Sequence, residues 1–261
     1  MPIMLFEIKR NRLSLIIWSA VLSFLIAVCV FIYPEIAKEM ESMKDIFANM
    51  GAFSDAFGLD QLQFGEFMGY FAIECAETLG IGGAIFAALL GVNALGKEER
   101  ERTAEFLFTH PVTRTRVVLE KLLAVVSEIL MLNISVALVT IASVALISVE
   151  ADYLKLLLIF LSLLILQIEI AVICFTISSF LVRGGVAVGI GVAIGSYFLN
   201  IISNISEDAV FLKYITPFGY TDGGYINEHA SLDIKYLVIH LIVTAILAML
   251  SFYRYNKKDI L

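Results

Sequence analysis

Four glutamates lie inside long apolar stretches of the sequence: Glu74, Glu77, Glu128 and Glu169. An ionisable side chain in hydrocarbon is costly unless it is neutral, paired or open to a water-filled cavity, so such residues often line transport paths. All four are therefore candidates for a translocation path. For Glu169, the deepest, the alternative is a protonated side chain bonded to a neighbouring helix. Glu74 and Glu77 share one face near the end of their stretch, so placement among lipid headgroups is the alternative for them.

No other residue pattern supports catalysis or metal binding by this chain. The sequence lacks His-Glu-x-x-His, Gly-x-Ser-x-Gly and strand-associated Gly-x-Gly-x-x-Gly motifs. Residues 91–98 begin like a phosphate-binding loop, but Glu98 stands where a serine or threonine would bind magnesium. The three cysteines and three histidines lack the spacing of a zinc site. We therefore expect no catalytic residue, cofactor or metal on this chain, so any nucleotide hydrolysis would have to occur on another one.

The elements that position these glutamates are expected to be membrane spans. Of 261 residues, 60% are hydrophobic and 16% are charged, with a mean hydropathy of +0.90. An ordinary soluble domain has roughly 45–50% apolar and about 25% charged residues. The composition predicts an all-α polytopic membrane protein with a single transmembrane domain over residues 1–261. The net charge of −7 argues against nucleic acid as a partner, because such binding needs a basic surface.

Six apolar stretches are long enough to cross a hydrocarbon core of about 30 Å as helices. The predicted spans cover residues 13–33, 70–95, 122–148, 154–181, 185–202 and 236–253. Residues 1–12 are predicted to form a separate amphipathic helix at the membrane interface.

Basic residues indicate the orientation of these spans. Thirteen of the 18 lysines and arginines lie in the two terminal segments or after the second and fourth spans. Only five lie in the other connections. The positive-inside rule then places both termini in the cytoplasm and the chain in the cytoplasmic (inner or plasma) membrane as a multi-pass protein.

The connection between the second and third spans has the most distinctive sequence. Charges alternate densely over residues 97–105, and Phe106, Leu107 and Val112 then lie among polar side chains. Apolar side chains at this density in an aqueous loop need a covering surface, such as a partner's groove or the membrane face. The pattern predicts a short helix that ends at Pro111. A solvated charged loop is the alternative.

This connection resembles the cytoplasmic signature of ABC-2 type transporter permeases. In that signature a glutamate-rich stretch, Thr, Glu and Leu precede Pro-Val-Ser/Thr-Arg. The matching residues here are Glu98, Glu99, Glu101, Thr103, Glu105, Leu107, Pro111, Val112, Thr113 and Arg114. The six spans, the basic N-terminal segment and the closing Lys257-Lys258-Asp259 extend the similarity over essentially the whole chain.

The resemblance implies a permease subunit that exports a substrate with energy from ATP, which separate ABC ATPase subunits would hydrolyse with magnesium. It implies that a cytoplasmic coupling helix contacts the ATPase. Its coupling residues would be Glu98, Glu99, Glu101, Thr103, Glu105, Leu107, Pro111 and Arg114. It also implies a second permease copy, or a homologous permease, in the lipid membrane.

Glycines in the fifth span are spaced for close contact between helix backbones. Gly185 and Gly189 form one Gly-x-x-x-Gly pair, and Gly191 and Gly195 form another. The family resemblance implies that this face lies at the dimer interface, whereas packing within the chain is the alternative.

Two other functions remain compatible with the sequence. A proton-coupled secondary carrier would use Glu74, Glu77 and Glu169 as a proton relay, and a membrane anchor or assembly subunit would move nothing. Secondary carriers commonly show repeats or broken helices, and neither pattern is evident in the sequence. The substrate does not follow from the residues.

Overall fold

The computed structural model describes residues 1–48, 66–97, 112–181 and 185–258, and all regular elements in these ranges are helical. The long helices are α1 (Pro2–Ala48), α2 (Phe67–Ala94), α3 (Arg114–Ile147), α4 (Tyr153–Ser178), α5 (Gly185–Ile205) and α7 (Ile234–Lys257). Between α5 and α7 lie two 3₁₀-helices, Glu207–Tyr214 and Pro217–Tyr220, and the short α6 (Gly223–His229). The six long helices are apolar enough to cross a membrane, which confirms the predicted all-α, six-span architecture.

Polar caps set helix ends that hydropathy alone misplaces. The third span begins at Arg114, eight residues before its predicted start, because the Thr113 side chain accepts a hydrogen bond from the Arg116 backbone N–H at 3.3 Å. Asp152 and Asp233 cap α4 and α7 in the same way. The polar side chains in the first turns of α3 lower the mean hydropathy of that stretch, but they do not interrupt the helix.

The first helix differs from the prediction in its length. It runs continuously from Pro2 to Ala48, so residues 1–12 do not form a separate helix, and Pro34 lies inside it. A proline removes one backbone donor, but within an apolar span the helix remains the best available way to satisfy the other backbone groups. The first turns of α1 lie against α3, where the backbone N–H groups of Ile3 and Met4 donate to Glu120.

The centre of the bundle is the pair α2 and α4, which have the most buried spans and pack most extensively against each other. The contact is close at Gly91, where an added Cβ would collide with the backbone oxygen of Ala171 and lie 3.0 Å from the Cβ of Cys174. Small residues permit such approach between membrane helices. In contrast, α1, α5 and α7 are largely exposed and present apolar side chains outward, as expected for lipid-facing helices.

Both chain termini lie at one end of the bundle. The N-terminal turn of α3 contacts the start of α1 through Glu120 and the end of α7 through Arg114, whose guanidinium donates to the Asn256 carbonyl at 3.3 Å. We call this the terminal end, and the other the opposite end. The second and third spans are joined at the terminal end, whereas residues 206–233 connect α5 to α7 at the opposite end.

Candidate functional site

Deep inside the bundle, Glu169 joins three elements through a buried polar cluster. Its Oε1 lies 2.8 Å from Nδ1 of His240 in α7, and its Oε2 accepts a hydrogen bond from the Tyr220 hydroxyl at 3.0 Å. The second imidazole nitrogen lies 3.1 Å from the carbonyl oxygen of Lys213. Glu169 and His240 are each only 2% exposed. The geometry matches the alternative considered above, in which Glu169 bonds a neighbouring helix.

His240 has an acceptor on each side of its ring, the Glu169 carboxyl group and the Lys213 carbonyl oxygen. Both imidazole nitrogens face acceptors, so the ring can donate on both sides as a cation beside a carboxylate. Burial, followed by the charge of Glu169, raises the pKa of the Tyr220 phenol well above its ordinary value. The phenol therefore remains a donor to the carboxyl group.

Residues 206–233, which we call the closing segment, pack into the opposite end of the bundle. The Thr216 hydroxyl donates to the Ser196 carbonyl of α5 at 2.6 Å, and the Phe218 ring lies 5.5 Å from that of Tyr197. An added Cβ on Gly80 would lie 3.6 Å from the Phe218 ring. Gly80 is thirteen residues into α2, so at 1.5 Å per residue the segment reaches about 20 Å along that helix. The closing segment therefore packs between the helices at the opposite end of the bundle and fills the space there.

The structure separates Glu74 from Glu77. Residues Phe71–Cys75 form a π-helical turn within α2, which changes the angular spacing of the side chains that follow. Glu74 is exposed on this turn, whereas Glu77 is half-buried beside Tyr197 of α5, whose hydroxyl is its hydrogen-bond partner. Of the two, Glu77 therefore lies nearer the closing segment and α5.

At the terminal end, Glu7 and Lys121 connect three helices. The Lys121 ammonium is 1% exposed, donates to the backbone oxygen of Ala94 at 2.6 Å, and lies 3.4 Å from Oε1 of Glu7. The other Glu7 oxygen lies 3.8 Å from the ammonium of Lys97. A cation placed on the last carbonyl of α2 satisfies a helix terminus that would otherwise lack partners. The cluster ties α1 and α3 to the point where the predicted coupling helix begins.

Both flanks of the predicted coupling helix are anchored to the bundle. On the α2 side, the Leu95 N–H donates to the Ser178 hydroxyl at the end of α4, at 3.4 Å. On the α3 side, the Arg114 guanidinium donates to the carbonyls of Tyr255 and Lys258, beside that of Asn256, at the end of α7. Movement of the connection between α2 and α3 would therefore be transmitted to the terminal ends of α4 and α7.

Most of the predicted coupling residues lie outside the described residues. These are Glu98, Glu99, Glu101, Thr103, Glu105, Leu107 and Pro111. Arg114 is described, and it contacts α7 as given above.

Glu128 in α3 is fully buried and lines a cavity of about 430 Å³ at the terminal end, between α1, α2 and α3. Its Oε1 accepts a hydrogen bond from the Asn11 side chain at 3.1 Å.

The glycines of α5 face two directions. Added Cβ atoms on Gly185 and Gly189 would lie 3.1 and 3.0 Å from side-chain carbons of Val92, so this pair packs against α2 within the chain. Gly191 and Gly195 have no atom within 4 Å of an added Cβ. The described part of the chain thus leaves only the second pair open to another subunit.

Sequence analysis missed several polar partners in the spans. His240 and Tyr220 were not linked to Glu169, and Asn133, which donates to Gln167 between α3 and α4 at 2.6 Å, was not singled out. His240 could have been noticed as an ionisable side chain in a predicted span. Its partner Glu169 is far away in sequence, so the contact itself was not predictable. Within the described ranges, no three histidine, cysteine or acidic side chains come together as a metal site.

Comparison with known families agrees with this arrangement. No curated protein matches the chain. The family model described as ABC-2 family transporter protein matches residues 1–260. The chain therefore belongs to the ABC-2 transporter family and is the multi-pass membrane permease subunit of an ABC transporter.

Proposed function

We propose that this permease exports a substrate across the cytoplasmic membrane, driven by ABC ATPase subunits that dock on residues 98–114 at a cytoplasmic terminal end. The observation that carries the proposal is the anchoring of both flanks of this segment, through Leu95 and Arg114, to the ends of α4 and α7. Displacement by an ATPase would be passed directly to those spans. The family implies ATPase partners but not which residues they contact.

The route for substrate would run between the cavity at Glu128 and the closing segment. Glu77 lies along this direction, and Glu74 lies at its exposed end. At the opposite end, opening requires the closing segment to move away from α4 and α7. The Glu169–His240–Tyr220 cluster resists that movement, because separation would leave buried polar groups unpaired. Two copies of the chain would meet along Gly191 and Gly195, the open pair of α5.

Docking of the ATPase and transmission of its movement to the spans are tested by different variants of the tagged permease. Leu107→Asp should abolish co-purification of the ATPase, and Glu101→Ala or Glu105→Ala should weaken it, since losing one charge from a desolvated contact costs about 2–5 kcal/mol. Arg114→Ala should leave the ATPase bound but reduce the stimulation of its ATP hydrolysis in reconstituted vesicles, because the segment is released from α7.

The matched control is Arg12→Ala, which removes an exposed arginine of α1 that has no described partner. It should leave both measurements unchanged. If no ABC ATPase co-purifies with the unmodified chain, the proposal fails. Uptake or efflux driven by a proton gradient alone would then favour the secondary carrier.

A further inference from the structure

Two of the three cysteines meet between α1 and α2. Cys29 lies in α1 and is half-buried, whereas Cys75 ends the π-helical turn of α2 and is 0% exposed. Their side chains are hydrogen-bonded to each other, and both are free thiols. The third cysteine, Cys174, lies in α4 beside Gly91. The described residues thus contain one pair of thiols in contact, and it joins two spans.

The π-helical turn directs Cys75 toward α1. The Ala76 N–H donates to the Phe71 carbonyl, five residues earlier, so side chains five positions apart lie near the same face. Tyr70, five residues before Cys75, contacts α1, because its hydroxyl donates to the Cys29 carbonyl at 2.9 Å. In a regular α-helix a residue five positions away would lie about 140° around the axis. The turn therefore places Tyr70 and Cys75 together against Cys29.

A buried stripe of α1 positions Cys29 in this contact. Ile26, Val30 and Tyr33 are buried, and the Tyr33 ring lies 5.2 Å from that of Tyr70. Cys29 lies three residues after Ile26 and four before Tyr33, so the three side chains share one helix face. Packing on both sides of the pair therefore keeps the two thiols side by side.

We propose that Cys29 and Cys75 form a reversible disulfide bond, with a low-molecular-mass organic disulfide as the oxidant. The half-buried Cys29 sulfur attacks the oxidant, and one small thiol leaves with the proton of Cys29. Cys75 then attacks the Cys29 sulfur of the mixed disulfide, and a second small thiol leaves with the proton of Cys75. Two protein thiols and one small disulfide thus give one protein disulfide and two small thiols.

The bond would fix α1 to the π-helical turn that carries Glu74. Cys75 lies eight residues after the start of α2 at the opposite end, which faces the outside in the orientation proposed above. Disulfides form and persist in oxidising compartments of that kind. The reaction itself needs only the contact between the two thiols. It does not depend on docking of an ATPase, so the two proposals succeed or fail separately.

The test is the reaction of the purified, reduced full-length permease with 2,2′-dithiodipyridine, an uncharged disulfide that enters detergent micelles. Every variant also carries Cys174→Ala, so that only the pair can react. The chain with both Cys29 and Cys75 should release two 2-thiopyridones, measured by absorbance. Its intact mass should fall by two hydrogens, with no pyridyl group retained, and dithiothreitol should restore both thiols.

Single variants separate the two steps. Cys75→Ala should release one thiopyridone and retain one pyridyl group, because no thiol is left to attack the mixed disulfide. Cys29→Ala should react at least tenfold more slowly than Cys75→Ala, since Cys75 is 0% exposed. The matched control combines Cys29→Ala with Val28→Cys, which moves the thiol by about 100° around α1. Val28 is 36% exposed, so this control should retain a pyridyl group.

Four results would each overturn the proposal. The first is a pyridyl group that persists on the chain with both cysteines, and the second is no reaction of that chain. The third is an internal disulfide in the Val28→Cys control, because chain mobility and not the observed contact would then bring the thiols together. The fourth is a covalent dimer on a non-reducing gel, because the bond would then join two chains. Equal rates for Cys29→Ala and Cys75→Ala would overturn the order of attack.

Discussion

His240→Leu removes one partner of the buried Glu169–His240 pair and should lower the free energy of unfolding by several kcal/mol. The imidazole nitrogen lies 2.8 Å from Glu169, and both residues are 2% exposed. His240→Leu leaves Oε1 of Glu169 and the carbonyl oxygen of Lys213 without a donor. Removing one partner of a buried pair costs about 3–5 kcal/mol. Glu169→Leu should cost a similar amount, because it leaves Nδ1 of His240 and the Tyr220 hydroxyl without a partner.

The double variant Glu169→Leu/His240→Leu measures the coupling between the two side chains. It leaves only the Tyr220 hydroxyl and the Lys213 carbonyl without partners, at about 1–3 kcal/mol each. The double variant should therefore cost about 4 kcal/mol less than the two single variants together. Hydrogen bonds between membrane helices couple by only about 0.6 kcal/mol on average and about 1.7 at most. A coupling free energy above about 2 kcal/mol would exceed that of such hydrogen bonds and would thus identify Glu169 and His240 as an ion pair.

Unfolding is followed by titrating the purified permease in mixed micelles with dodecyl sulfate while recording the emission of Trp18. His229→Leu is the matched control, because His229 lies in the closing segment with a half-exposed side chain. That change should shift the free energy of unfolding by no more than about 0.5 kcal/mol. If the effects of Glu169→Leu and His240→Leu add to within about 0.5 kcal/mol, the two residues are not a coupled unit.

The remaining predictions concern helix packing, pairing of copies and orientation. In the same titration Gly91→Ala should cost about 1–3 kcal/mol, because the added methyl meets the backbone of α4; an unchanged midpoint would contradict the close contact. Gly191→Leu should weaken dimerisation measured by cross-linking in membranes, whereas Gly185→Leu should impair folding instead, and a fully dimeric Gly191→Leu protein would place the interface elsewhere. In a chain without native cysteines, Asp208→Cys should react with an impermeant maleimide added to intact cells, and Lys257→Cys only after permeabilisation; the reverse pattern would invert the orientation.

Much of the fold was predictable because hydrocarbon imposes simple constraints on sequence. A run of about twenty apolar residues has few stable conformations in a membrane other than a helix. The six spans were therefore evident, and family membership followed from residues 98–114 together with that pattern. Helix ends were less predictable, because α3 starts with the charged side chains of Arg114 and Arg116, which lower the mean hydropathy of its first turns.

The candidate sites were only partly predictable, because their residues are distant in sequence. Glu169 was recognised as unusual, but His240 lies 71 residues later, and only folding places it at 2.8 Å. The same applies to Asn11 and Glu128, which are 117 residues apart. Likewise, the spacing of the α5 glycines did not reveal that Gly185 packs on α2 while Gly191 is open.

The sequence by itself determined the number of spans, the helical class and the family, since these depend on local composition and on a contiguous motif. Only the tertiary structure decided which buried carboxyl groups have partners. It pairs Glu169 with α7 and the closing segment, and it leaves one buried oxygen of Glu128 without a hydrogen-bond partner among the described residues. The physical reason is that the cost of a buried charge depends on the atoms within a few ångströms of it, and helix packing brings those atoms from distant parts of the chain.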